Sequence, residues 1–142
     1  MKRLRLSHKI FVAKSRISRA GRGVFADALL RKGKVIETCP VIRITGSDVP
    51  LVKQTNLKNY YFIWHEPKKI ATRVALCLGF GSMYNHSYNP NATYRKMIKR
   101  DLIEFIAIRD IRSGEEITVN YNYGKPTDLS TLWIKTIKPA RS

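Results

Sequence analysis

Three short segments hold most of the residues able to do chemistry: Ala20-Gly21-Arg22-Gly23-Val24-Phe25-Ala26, Tyr84-Asn85-His86-Ser87-Tyr88-Asn89-Pro90-Asn91 and Gly114-Glu115-Glu116-Ile117-Thr118-Val119-Asn120-Tyr121. Taken singly, they promise little. A Gly-x-Gly ahead of a strand is ordinarily a turn, and a dinucleotide fingerprint needs a third glycine and a following helix. Asn85-His86-Ser87 and Asn91-Ala92-Thr93 fit the N-glycosylation triplet, but no secretory signal accompanies them, so the fit is coincidental. A lone histidine such as His86 is more often structural than catalytic, and Glu115-Glu116 after Ser113-Gly114 ordinarily forms a solvated turn. Cys39 and Cys77 each lie in an apolar stretch, IETCPVI and VALCLG, and read as buried free thiols; no zinc cluster can be assembled from them.

In this order and spacing, however, the three segments together resemble those of the SET-domain protein lysine methyltransferases: Gly-x-Gly near the start, N-H-S-x-x-P-N in the middle and E-[LI]-x-x-x-Y near the end. The resemblance runs from about Lys9 to Tyr123, and the opening FVAKSRISRAGRGVFA also looks like the family's strand leading into its turn. It implies a β-rich α+β fold of small curved sheets, with a pseudoknot near the C-terminus in which the segment after Asn85 and the chain's end pass through one another. It also implies an enzyme that moves a methyl group from S-adenosylmethionine to the side-chain amine of a lysine in a protein substrate. Carried over position by position, Ala20, Gly21, Arg22 and Gly23 belong to the cofactor site. Backbone groups of Ala20, Arg22 and Gly23 would meet the methionine part, with glycine wanted where a side chain would block close approach. Asn85 would bond the cofactor's amino group, and His86 would touch the adenine through its backbone. Tyr121 is the catalytic residue by this correspondence, and Tyr94 and Tyr123 line the lysine channel.

The chemistry so implied explains the residue types. The sulfonium methyl is already activated, so the protein mainly aligns amine, methyl and sulfur and excludes water, which aromatic walls do well. A lysine amine has a pKa near ~10.4, so roughly one in a thousand is neutral near pH 7.4, a handicap of about 4 kcal/mol. A dry channel beside a positive sulfonium lowers that pKa. The Tyr121 hydroxyl and backbone carbonyls can accept weak C–H···O contacts from the methyl group. In many members a tyrosine two residues before the catalytic one restricts the number of methyl groups; Val119 stands there, and Tyr94, nine residues beyond Asn85, is expected to take over that role and favour mono-methylation. Other departures concern the cofactor's grip. Ser82-Met83-Tyr84 replaces the family's Arg-Phe-Ile, Asn120 replaces an Asp, and no cysteine follows Cys77, so a zinc-binding post-SET module is absent and no metal is expected. Trp133 in the tail is the expected substitute cover for the adenine.

These residues must be positioned by a β-rich framework. Brief apolar runs separated by Gly, Asn, Ser and Pro predict strands at Ile10–Lys14, Gly23–Ala26, Lys34–Ile44, Tyr60–Trp64, Arg73–Leu78, Ala92–Ile98, Ile103–Ile108 and Glu116–Val119. One helix is predicted, Ser47–Leu57, from a capping serine, an early proline and spaced apolar residues. The 142 residues suit one domain, divided as a basic arm over 1–8, a SET domain over 9–123 and a post-SET-like tail over 124–142 without zinc ligands. No apolar run approaches a membrane span, which predicts an intracellular protein with no membrane partner, cytoplasmic in a prokaryote and able to be nuclear in a eukaryote or virus.

Charge adds a partner. With 27 Lys+Arg against 10 Asp+Glu the chain carries +17, a field that attracts nucleic acid or an acidic assembly and repels a bare basic peptide. The rival to methyl transfer is a catalytically silent module of the same fold that binds nucleic acid or ribosomes through this surface, with aromatics among basic residues in NYYFIWHEPKK (59–69). Such a module predicts no cofactor binding and has no need of Gly21, Gly23, Asn85, His86 and Tyr121 together.

Overall fold

The computed structural model describes residues 3–64, 73–122, 124–130 and 132 of the chain. Strand formation follows the period-two burial of the sequence. In Leu102–Ala107, Ile103, Phe105 and Ala107 are buried while Leu102, Glu104 and Ile106 stay half-exposed. Two sheets result, with strands numbered in chain order. The first joins β1 (Ile10–Lys14), β2 (Arg22–Ala26), β9 (Glu116–Val119) and β6 (Asn85–His86), in that order. Its pairings are antiparallel except β6 with β9, which is parallel. The second is antiparallel throughout, in the order β4 (Phe62–Ile63), β5 (Val74–Cys77), β3 (Val35–Ile44), β8 (Leu102–Ala107) and β7 (Ala92–Met97).

The second sheet curls. Its outer strands β4 and β7 approach one another across a cavity, where the Lys96 ammonium donates to the Ile63 carbonyl at 2.9 Å. Burial lowers the Lys96 pKa. Val24, Ile36, Trp64, Ile103, Phe105, Ile111 and Ile117 fill the core with less than 5% of their surface exposed. Cys39 and Cys77 lie among them as buried thiols, as expected.

The segments expected to cross near the C-terminus are held by polar side chains rather than by a long ladder. Asn91, 3% exposed, donates to the Glu116 carbonyl and accepts from the Thr118 amide, both at 2.9 Å. The Tyr88 hydroxyl donates to the Ser130 carbonyl at 3.0 Å, and the Asn120 side-chain amide to the Asp128 carbonyl at 2.6 Å.

Several expectations need correction. The helix predicted over Ser47–Leu57 breaks into α1 (Asp48–Lys53) and a 3-10 turn, Asn56–Asn59. The Ser47 side chain makes no capping bond, whereas Thr55 donates to the Val52 carbonyl and accepts from the Leu57 amide, ending one helix and starting the other. The strand predicted over Tyr60–Trp64 shrinks to Phe62–Ile63, because the amides of Tyr60 and Tyr61 both return to the Leu57 carbonyl and keep those residues in the turn. Strand β6 was not predicted: two residues show no alternation. The other predicted strands appear with shifts of a residue at their ends.

Candidate functional site

The turn before β2 forms the lip of a cavity of about 350 Å³ lined by Arg19, Ala20, Gly21, Arg22, Met83 and Asn85, among others. Gly21 is needed here for its backbone: φ is +73°, and a side chain would find open space but a strained conformation. Arg19 also takes a positive φ, 65°, which is uncommon for a residue with a Cβ and sharpens the turn. Gly23 has a different reason. It is buried in β2, and a Cβ there would collide with the Glu116 carboxylate and come within 2.9 Å of the Asn85 amide nitrogen. Its role is close packing, and it does not line the cavity.

Glu116 is the hub beneath this turn. Its carboxylate accepts from the Ser15 hydroxyl at 2.7 Å, the Arg16 amide at 3.0 Å and the Asn85 side-chain amide at 3.0 Å. As predicted, Glu116 begins a strand, β9, and these bonds tie its carboxylate to the G-x-G segment rather than leaving it in a solvated turn. The Asn85 Nδ2 also donates to the Arg22 carbonyl at 2.9 Å. With both N–H groups used and the amide orientation fixed by them, its Oδ1 is the acceptor able to meet a ligand's ammonium.

A second cavity, about 320 Å³, is lined by Tyr60, Tyr61, Phe62, Tyr84, Tyr94, Lys96, Val119 and Tyr121, among others. Tyr94 meets Phe62 edge to face at 5.1 Å and lies 6.0 Å from Phe105. The two cavities share Asn59, Tyr60, Ser82 and Tyr121 in their linings. Tyr121 therefore stands where they meet, held at two points. Its backbone amide donates to His86 Nδ1 at 3.0 Å, and its hydroxyl donates to the Tyr84 carbonyl at 2.7 Å. Burial pushes the phenol pKa well above its ordinary value, so the hydroxyl keeps its proton. Tyr121 is thus no base; its O–H points to the Tyr84 carbonyl as a hydrogen-bond donor, and the oxygen's lone pairs remain as acceptors.

His86 is fully buried, and desolvation lowers its pKa to about 4. A neutral ring is what the Tyr121 amide requires, because protonated Nδ1 could not accept. The ring packs T-shaped against Tyr88 with centroids 4.4 Å apart. Its side chain lines neither cavity and touches the site where Nδ1 accepts from the Tyr121 amide.

Of the residues singled out from sequence, the structure gathers Ala20, Gly21, Arg22, Asn85, Tyr94 and Tyr121 around the joined cavities, with Gly23 and His86 packed behind them. Tyr123 and Trp133 lie outside the described residues. Sequence reasoning missed Glu116, Tyr60 and Arg19. Glu116 sat inside the third motif and Arg19 next to the first, but no spacing marked Tyr60, whose place depends on the 3-10 turn.

Comparison with known proteins agrees with this fold. Residues 21–122 match the SET domain family. A protein of the fission yeast Schizosaccharomyces pombe, named histone-lysine N-methyltransferase, H3 lysine-37 specific, is 34% identical over 104 residues, which make up 72% of this chain and 67% of the yeast one. The histone-lysine N-methyltransferase SETD7 of Halocynthia roretzi is 25% identical over 126 residues, but this chain spans only 32% of it. Among solved structures, a Plasmodium falciparum protein provisionally named a histone methyltransferase superposes with a TM-score of 0.62 at 29% identity, over 83% of this chain and 96% of that one. A polycomb repressive complex 2 chain, solved with S-adenosylmethionine, gives 0.67 at 20% identity over 83% of this chain and 16% of its own, a likeness of fold alone. By its ordered motifs, its curled sheets and the match over residues 21–122, the chain belongs to the SET-domain family of protein lysine methyltransferases.

Proposed function

We propose that this protein transfers a methyl group from S-adenosylmethionine to the side-chain amine of a lysine in a protein substrate, mainly once per lysine. The observation that carries the reading is that Tyr121 lines both cavities, one polar and one aromatic. Bound in the polar cavity, S-adenosylmethionine supplies a methyl group activated by its sulfonium. The residues present fit that ligand: the Asn85 Oδ1 accepts from an ammonium, and Arg19 and Arg22 bring positive charge for a carboxylate. In the second cavity the rings of Tyr60, Tyr61, Phe62, Tyr84 and Tyr94 exclude water from an entering amine. Such an environment lowers the amine's pKa and supplies the neutral form that can attack. Tyr121, with its O–H hydrogen-bonded to the Tyr84 carbonyl, offers oxygen lone pairs at the junction without taking the amine's proton.

Mono-methylation is supported by the lining of the second cavity. Val119 occupies it as a small apolar residue, and Tyr94, on the strand after the N-H-S motif, stands among the phenols that line it and is the one we assign to restricting a methylated nitrogen. The names of the relatives make a histone H3 tail the first substrate to try. The charge argues that the tail is taken from an acidic or nucleic-acid-bound assembly rather than free. The ion pairs Arg31–Asp110, Arg43–Asp101 and Arg95–Glu104 each cancel one positive charge, and the excess of +17 is left on the remaining Lys and Arg residues. Calorimetric titration with S-adenosylmethionine tests the reading: saturable heat, competed by the demethylated product, is expected, and a folded protein that gives no heat at millimolar cofactor would favour the silent binding module instead.

A further inference from the structure

Against the short turn that contributes to both cavities lies a buried carboxylate with no counterpart in the motifs. Glu37, 6% exposed, comes from β3, where a β-bulge between Val35 and Glu37 breaks the alternation so that Ile36 and Glu37 both face inward. Its two oxygens take hold of both ends of one short turn. Oε2 accepts from the Phe80 amide at 3.0 Å, and Oε1 accepts from the Tyr84 hydroxyl at 3.0 Å. Between those residues runs the 3-10 turn Gly81–Met83, which lines both cavities through Ser82.

The turn has no slack against the layer below it. Gly79 has φ +62°, and a Cβ there would stand 2.7 Å from Glu37 Oε2; a Cβ at Gly81 would collide with the Cys77 sulfur. The Ser82 hydroxyl donates to the Cys77 carbonyl at 2.9 Å. Tyr84, 2% exposed, is stacked on Phe105 with centroids 4.1 Å apart, and its carbonyl receives the Tyr121 hydroxyl at 2.7 Å. Glu37, the Tyr84 side chain, the Tyr84 backbone and the Tyr121 hydroxyl thus form one connected path. Burial and the nearby Glu37 carboxylate push the Tyr84 phenol well up, so its proton remains in that path.

We infer that Glu37 is a positioning residue for methyl transfer: by clamping the Tyr84 hydroxyl and the Phe80 amide, it fixes the carbonyl that orients the Tyr121 hydroxyl at the junction of the two cavities. A carboxylate suits this task better than an amide or a water, because both oxygens accept and hydrogen bonds to a charged acceptor are the strong ones. The cost of burying it is offset by the two donors and a rigid site. The inference rests on the reading of the protein as a methyltransferase, since the orientation of Tyr121 matters only if Tyr121 meets the reacting atoms.

The test compares the full chain with Tyr84→Phe, which keeps the ring on Phe105 and removes one hydroxyl, and with Glu37→Asp, which keeps the charge but withdraws it by one methylene. Folded fraction and cofactor affinity are measured beside turnover. In both variants kcat per folded molecule is expected to fall about tenfold or more, while KM for a peptide and Kd for S-adenosylmethionine change less than about threefold. Glu37→Gln, which can accept from Tyr84 or from Phe80 but turns an NH2 donor toward the other, should also lose turnover per folded molecule, about threefold or more. A second readout needs no activity: with tyrosine labelled at the ring carbon bearing the hydroxyl, the Tyr121 signal, assigned through Tyr121→Phe, should move in Tyr84→Phe and Glu37→Asp. Turnover per folded molecule within about twofold of the unaltered protein, or a Tyr121 signal that stays in place, would overturn the positioning role. If the unaltered protein methylates nothing while the Tyr121 signal still moves, the clamp stands and the methyltransferase reading fails.

Discussion

The two cavities that meet at Tyr121 are walled by different chemistry. The first is built from a tight turn, backbone carbonyls, two arginines and an oriented amide, all secured from below by Glu116. The second is built from ring faces and aliphatic side chains on the curled edges of the five-stranded sheet, with Lys96 as its charged group. Polar walls recognise by direction and suit a ligand with fixed charges, whereas aromatic walls recognise little and mainly remove water. A transfer reaction needs both, because one reactant must be gripped in a single pose while the other must shed its hydration and proton. Tyr121 belongs to both walls, and variants that touch one wall alone should separate binding from turnover.

The largest effect is expected at the shared residue. Tyr121→Phe should lower kcat about a hundredfold while leaving cofactor affinity nearly unchanged, because it removes one preorganised polar group at the junction. Stopped-turnover assays with calorimetry on the same samples check this; an unchanged rate would reduce Tyr121 to packing. Acid should act nearly as strongly through His86. Its pKa is held at about 4 in the folded protein, below the ordinary 6.5, so the unfolded chain takes up its proton first as pH falls. The stability that neutral His86 contributes is complete above pH ~6.5 and is lost progressively down to pH ~4, a change of order 3 kcal/mol. Urea unfolding across that range should show the loss, and His86→Asn should flatten it.

Next comes the polar wall. Asn85→Ala should weaken S-adenosylmethionine binding about tenfold or more, since it deletes the oriented acceptor and leaves the Arg22 carbonyl without its partner. The aromatic wall should respond least in rate and most in product. Tyr94→Phe is expected to shift mono-methyl-lysine toward di- and trimethyl-lysine with turnover changed less than about threefold, since it loses a hydroxyl and keeps the ring. Mass spectrometry of a substrate peptide at long times reads the ratio, and an unaltered ratio would remove Tyr94 from that role.

The polar wall was the more legible of the two in the sequence, because its parts are contiguous motifs. Gly21 with its positive φ, Asn85 and Tyr121 could be singled out by residue type and order, and all three line it. The aromatic wall was partly hidden. Tyr94 could be found by its distance from Asn85, but Tyr60 reaches the site only because Thr55 ends α1 and starts a 3-10 turn, a local competition that spacing does not reveal. Strand β6 escaped for a related reason: its pairing with β9 comes from a long-range parallel contact of two residues, with Asn91 tying the β9 backbone alongside. Most of the other strands could be read from alternation. Glu37 was invisible, since a carboxylate in an apolar run reads as solvent-facing until a β-bulge turns it inward.

The central claim is that the joined cavities carry out methyl transfer to lysine. The most direct measurement incubates the protein with methyl-labelled S-adenosylmethionine and a lysate of its source, beside Tyr121→Phe as a control, and locates the label by mass spectrometry. The account predicts label on lysine side-chain nitrogens, mostly a single methyl group, and almost none with the Tyr121→Phe protein. A folded, cofactor-binding protein that leaves every lysine unlabelled, or equal labelling by Tyr121→Phe, would contradict it.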